Sequence, residues 1–170
     1  MVNFSTMSVI NAFPHSFPLG RRFGLLTRLY FGALTKKLED LDIDRHYSIL
    51  ILLENSKEKC SQQYMSEFLR IDKASMVRII DYLVRKKYLK RVVNPDDRRE
   101  HRICLTDKAR KVLPVIHEAI DGLNESALNG LSPTQVKSFY AGLDALAANL
   151  AEEPAHPIIV NFKKAKSLRK

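Results

Sequence analysis

Lys73, Ser75 and Arg78, with Ala74 among them, fall where side chains project from the first turns of a helix whose apolar residues face inward. Further on, Arg98 and Arg99 follow Asp97 in the segment NPDDRRE. Ammonium, guanidinium and hydroxyl groups of this kind donate hydrogen bonds to anions. None of these cations or hydroxyls is paired with a base that would make it a nucleophile, so the chemistry is non-covalent recognition. A helix of this kind suits the major groove of a duplex, with phosphates on either side drawing the cations. Arginines on a loop beyond it suit the backbone or the minor groove, where the negative potential is strongest. Asp97 would repel phosphate and is therefore read as orienting its arginine neighbours. Upstream, Ser61 and Gln62 open another short helix. Ser61 reads as its N-cap, and a backbone phosphate could share the same helix end.

Other chemistries find no support in the pattern. There is no phosphate-cradling loop, no dinucleotide glycine run and no Ser-His-Asp order, so an enzyme is not expected. His15, His46, His101, His117 and His156 share no ligand spacing with one another or with a cysteine, and no metal or cofactor is expected. Cys60 and Cys104 form no C-x-x-C and lie far apart, which fits reduced thiols in a cytoplasmic protein. Strand alternation is read as turning Cys104 inward, as a buried structural thiol. No window nears 18 uninterrupted apolar residues, so no membrane span or membrane partner is expected. Residues 1–19 lack the basic start and apolar run of a secretory signal.

The elements that must hold these groups follow from periodicity. Helical spacing over 20–40 includes Phe23, Leu26, Leu29, Tyr30 and Leu34. A second helix over 45–56 has Asp44 as its expected N-cap. QQYMSEFLR and KASMVRIIDYLVRKK then give two helices across a turn of a few residues, the helix-turn-helix pattern. Met76, Ile79, Ile80 and Leu83 are expected to face inward. LKRVV and HRICL alternate and carry β-branched residues, so they predict a hairpin closed through NPDDRRE. Thr106 should cap a long helix over 107–128, stopped by Gly130. Ser132-Pro133 should start the last helix, with Pro133 at its first position.

Charge is as uneven as the motifs. The net charge of the 170 residues is +9, yet residues 59–111 hold 15 basic against 7 acidic side chains, and 112–153 hold 1 against 6. A polyanion-binding module is thus set beside a segment that repels polyanions. The expected division is an arm over 1–19, a dimerisation helix over 20–44, a DNA-binding unit over 45–106, dimerisation helices over 107–153 and a basic tail over 154–170. The outer helices carry more apolar surface than so small a module can cover, which predicts a homodimer.

With these elements in order, the chain resembles the MarR (multiple antibiotic resistance regulator) family of winged-helix transcription factors. The family's wing signature stands as Asp97-x-Arg99 followed, after five residues, by Leu105-Thr106. SQQYMSEFLRIDKASMVRIIDYLVRKKYLKR resembles the family's helix-turn-helix throughout, and the likeness covers about residues 20–153. It implies a mainly α fold with a small β-hairpin, the winged helix-turn-helix being flanked by N- and C-terminal dimerisation helices. It further implies a dimer on a pseudo-palindromic duplex, Asp72–Lys87 as reading helix and Arg99 as the leading wing arginine. A repressor relieved by a small phenolic or lipophilic effector is the function implied, with Tyr30, His46 and Tyr47 as the expected effector pocket. Two alternatives stay open: a winged-helix protein-interaction module with an incidental basic surface, and a metal- or redox-responsive regulator of the same fold. Arg70 and Tyr88 stand where many relatives have glycine, so those helix ends are expected to close differently.

Overall fold

The computed structural model describes residues 18–56, 60–93 and 101–154. Residues 1–17 of the expected arm, residues 155–170 of the basic tail, and Asp97, Arg98 and Arg99 lie outside these residues; Leu19, expected in the arm, already begins the first helix. The described chain runs α1 (Leu19–Lys37), α2 (Tyr47–Asn55), α3 (Gln62–Phe68), α4 (Lys73–Arg85), β1 (Leu89–Val93), β2 (His101–Leu105), α5 (Asp107–Leu128) and α6 (Pro133–Ala151). It is the mainly α chain with one hairpin that the sequence predicts.

Local signals set most boundaries. Ser61, Asp72, Thr106 and Ser132 each accept a backbone N–H from the third residue on, capping α3, α4, α5 and α6. At α6 the Gln135 side chain also reaches back to the Ser132 amide, completing a capping box behind Pro133. Gly130, at φ 88°, turns the chain after α5 in a conformation that glycine adopts without steric cost.

One expected cap fails. Asp44 does not cap α2; it sits at φ 51°, and the helix starts three residues later behind His46, whose side chain caps nothing. The reason lies in the core. Leu38 and Ile43 are almost wholly buried, and drawing both inward coils 38–46 into a turn. Asp44 is left in the left-handed region, which Asp tolerates better than most residues.

The two helix ends flanking the helix-turn-helix also depart from expectation. Arg70 adopts φ 50° and Lys87, rather than Tyr88, adopts φ 60°. Arg70 N–H bonds Glu67 O and Ile71 N–H bonds Ser66 O, while Lys87 N–H bonds Val84 O and Tyr88 N–H bonds Leu83 O. Both ends are therefore Schellman caps, with a left-handed non-glycine residue followed by an apolar one. The chain closes these ends as glycine would, and carries the strain. Relieving about 1–2 kcal/mol of left-handed strain, less about 0.5–1 kcal/mol for glycine's unfolded-state freedom, predicts a gain from Arg70→Gly. Thermal unfolding should show the melting temperature rising by about 1–4 °C; a fall would refute the cap geometry.

The hairpin pairs Leu89 with Leu105 through to Val93 with His101, and Cys60 adds an isolated bridge to Ile103. Ile103 and Leu105 are buried, so Cys104 takes the opposite parity and is only partly buried. That corrects the inward reading: the core takes the larger apolar neighbours on the same strand. Met76, Ile80 and Leu83 of α4 are fully buried and Ile79 is partly so. They meet one continuous core with Met65 of α3, Leu50 and Leu53 of α2, and Leu113 and Ile116 of α5. Outside this core, α6 buries no residue, and Phe139, Tyr140 and Leu150 remain about half exposed.

Candidate nucleic-acid interface

The inner face of α4 is anchored by three apolar residues, so its outer face is set by the helical repeat. Lys73, Ala74 and Arg78 are exposed there, and Ser75 is half-buried between them. Four of the residues expected to meet DNA are thus brought to one patch over the first two turns. Ser61 and Gln62, both half-buried, stand at the start of α3 instead. The Ser61 hydroxyl is occupied by the Tyr64 amide at 3.2 Å, which gives it a capping role.

The hairpin is tied to this helix from both sides. Arg91 of β1 donates to Asp81 of α4 at 2.6 Å, joining strand to helix across the surface. Thr106 follows β2 directly. Its hydroxyl donates to Lys87 O at 2.7 Å, and its amide donates to Tyr88 O at 3.0 Å. The Thr106 hydroxyl oxygen also accepts the Ala109 amide, capping α5. One side chain therefore joins the end of α4, the end of the hairpin and the start of α5. Lys108 adds to the same joint, donating to Lys86 O at 2.9 Å with its ammonium 3.9 Å above the Tyr88 ring.

A second brace holds the same C-terminal end of α4. Lys86 donates to Asp42 in the α1–α2 turn, and the Tyr82 hydroxyl lies 3.5 Å from the same carboxylate. The Lys86 hydrogen bond, before all else, holds the Asp42 carboxyl below its usual range. Tyr82 also packs edge-on against His46, ring centres 5.5 Å apart. Burial of His46 pushes its imidazole below the ordinary histidine value. Nothing in the sequence pairs Asp42 with Lys86, 44 residues apart. Lys86 lies in a basic run, and such a run is usually a solvated face.

The three residues expected to line an effector pocket take three different settings. The Tyr30 hydroxyl donates to Asn124 Oδ1 at 2.7 Å, bridging α1 and α5. Tyr47 is buried at the start of α2, and that burial pushes its hydroxyl up to about 12. His46 faces Tyr82, which itself lines an open groove with Gly32, Thr35, Leu41 and Asp44. Among the described residues, no trio of His, Cys, Asp or Glu could hold a metal ion. No helix described is long and apolar enough to cross a membrane.

This architecture is found in proteins already solved. A MarR transcriptional regulator from Methanosarcina mazei Go1 superposes with a TM-score of 0.72 at 25% identity, over 79% of this chain and 96% of that one. A putative MarR family regulator from Listeria monocytogenes, solved with a 26mer DNA, has the same TM-score at 19% identity, over 80% and 91%. The S. aureus MepR–DNA complex matches at 0.72 and 20% identity, over 81% and 99%. At those lower identities the likeness is one of fold. The family model described as MarR family matches residues 40–100, from the α1–α2 turn through the hairpin loop. Residues 40–100 thus match the MarR family model, and the chain around them shares the winged helix-turn-helix fold of these solved regulators.

Proposed function

We propose that this chain is a dimeric regulator of transcription that binds a pseudo-palindromic DNA duplex in a sequence-specific way. The observation that carries the reading is the exposed patch of Lys73, Ala74, Ser75 and Arg78 on the first turns of α4. It stands on a helix braced at its C-terminal end and joined to a hairpin that leads to Arg98 and Arg99. Two relatives of the same fold were solved with DNA, which supports the reading by analogy. Residues 45–106 form the DNA-binding unit of this proposal, with Ser61 and Gln62 flanking the backbone and Asp97 orienting the wing arginines.

The outer helices supply the dimer. Leu26 and Leu29 of α1 are more than half exposed, as is Leu150 of α6, and Phe139 and Tyr140 are nearly so. Apolar residues at this exposure on the terminal helices suit burial against a second copy. Repression, relieved by a small phenolic or lipophilic effector acting near Tyr30, His46 and Tyr47, completes the reading in a cytoplasmic protein. One observation favours the rival interaction module: Tyr64 and Phe68 stack on the open face of α3, ring centres 5.8 Å apart.

Fluorescence anisotropy with the DNA upstream of the protein's own gene and a scrambled duplex separates the two. Specific recognition predicts a preference of about 10³ or more that survives near-physiological salt. Equal affinities, lost together as salt rises, would reduce the patch to an electrostatic surface. In the same assay Arg99→Ala should bind about tenfold or more weakly, with its melting temperature unchanged. Wild-type affinity in that variant would remove the wing from the interface.

A further inference from the structure

Arg78 does not hang free on the helix. Its Nη2 donates to the Ser75 Oγ at 2.9 Å, one turn back toward the N-terminus. Long side chains on a helix lean in that direction, so the contact needs no unusual rotamer. Ser75 in turn sits against Asp72, whose Oδ1 accepts the Ser75 amide at 2.8 Å. The Ser75 hydroxyl and then its amide are the largest influences holding the Asp72 carboxyl below its usual range. A guanidinium can only donate, so in this contact the Ser75 oxygen is the acceptor, while Asp72 holds the Ser75 amide.

Two consequences follow for recognition. The Ser75 oxygen already accepts from Arg78 and its amide is held by Asp72, which makes the residue part of the support beneath the guanidinium. Arg78, by contrast, spends one N–H on Ser75 and keeps the rest of its planar fork, held in a fixed place before any duplex arrives. Two acceptors side by side are what such a fork matches. In the major groove only guanine presents them, as O6 and N7; adenine offers one acceptor beside a donor, and thymine one acceptor.

We infer that Asp72, Ser75 and Arg78 form a relay in which Arg78 reads a guanine in each half-site, while Ser75 and Asp72 are positioning residues rather than base contacts. This deepens the DNA-binding reading above and rests on it. It also reassigns Ser75, which sequence reasoning placed among the base-reading residues.

The test starts from a duplex selected out of a random pool by the wild-type protein, with every base pair then substituted singly. Arg78→Ala should lose about tenfold in discrimination at one G·C pair per half-site. Ser75→Ala should lose discrimination at that same pair and no other, while Ser75→Thr, which restores the hydroxyl, should keep it. In the free protein, nuclear relaxation of the Arg78 Nε–H should report an ordered side chain that becomes mobile in Ser75→Ala. That readout would not move if Ser75 merely capped the helix. A Ser75→Ala loss at a different base pair, or at none, overturns the relay, as does an Arg78 already mobile in the wild type. Failure to select any preferred duplex sinks the DNA reading and the relay together, whereas a selected duplex with unlinked Ser75 and Arg78 effects sinks the relay alone.

Discussion

Leu83→Ala lowers the stability of the fold by about 3 kcal/mol, the middle of the range for a fully buried leucine truncated to alanine. Leu83 has no exposed surface and lies on the inner face of α4 with Met76 and Ile80, in the core shared with α2, α5 and the hairpin. Its carbonyl also accepts the Tyr88 amide at 2.9 Å, so the residue lies both in the core and at the cap that ends the reading helix. Thermal unfolding should show a melting temperature lower by about 6–12 °C, at about 2–4 °C per kcal/mol for a chain of this size. A loss below about 1 kcal/mol would mean that α4 is not seated on this core, and the placement of its outer face would fall with it.

The second large effect concerns a residue of the wing signature. Thr106→Val keeps the shape and removes the hydroxyl, which caps α5 and donates to Lys87 O at the end of α4. A lost cap costs about 1 kcal/mol, and a lost hydrogen bond about another, so a fall of about 2 kcal/mol is expected. Thr106→Ser keeps both contacts and should stay within about 0.5 kcal/mol of the wild type. Urea titration distinguishes the two variants. Under the proposed function, DNA affinity measured well below the unfolding transition should survive in Thr106→Val. Arg99→Ala should do the reverse, keeping stability and losing affinity. Equal stability of Thr106→Val and wild type would show that the joint between α4, hairpin and α5 does not rest on this hydroxyl.

This pairing explains why a short signature mixes residues with different work. On the reading proposed here, Arg99 acts on DNA, while Leu105 is buried and Thr106 ties three elements together. Asp81 with Arg91, and Asp42 with Lys86, extend the same bracing over the rest of α4. These exposed ion pairs are individually weak. They matter as a consistent set, since each leads from α4 to a different neighbour.

What the sequence by itself determined were the features whose cause is local. The strands Leu89–Val93 and His101–Leu105, the caps Ser61, Asp72, Thr106 and Ser132, and the inward row Met76, Ile80 and Leu83 all follow from spacing and from side chains bonding the nearest amides. Such interactions close within a turn or two of chain, so a linear reading can see both partners. The outward patch of Lys73, Ala74, Ser75 and Arg78 was legible for the same reason, being the complement of the inward row.

The tertiary structure decided the rest. Asp44 lost its expected capping role because the burial of Leu38 and Ile43 coils the turn before α2. Cys104 faces away from the core because Ile103 and Leu105 on the same strand fill it, and strand parity admits only one choice. Arg70 and Lys87 accept left-handed conformations that glycine would adopt without strain, since the Schellman bonds and the apolar residues that follow fix the chain path there. Asp42 meets Lys86, and Tyr30 meets Asn124, only after distant segments have packed. For Asp44 and Cys104, burying apolar neighbours in the shared core sets the chain path, and that term overrides a local preference worth about 1 kcal/mol.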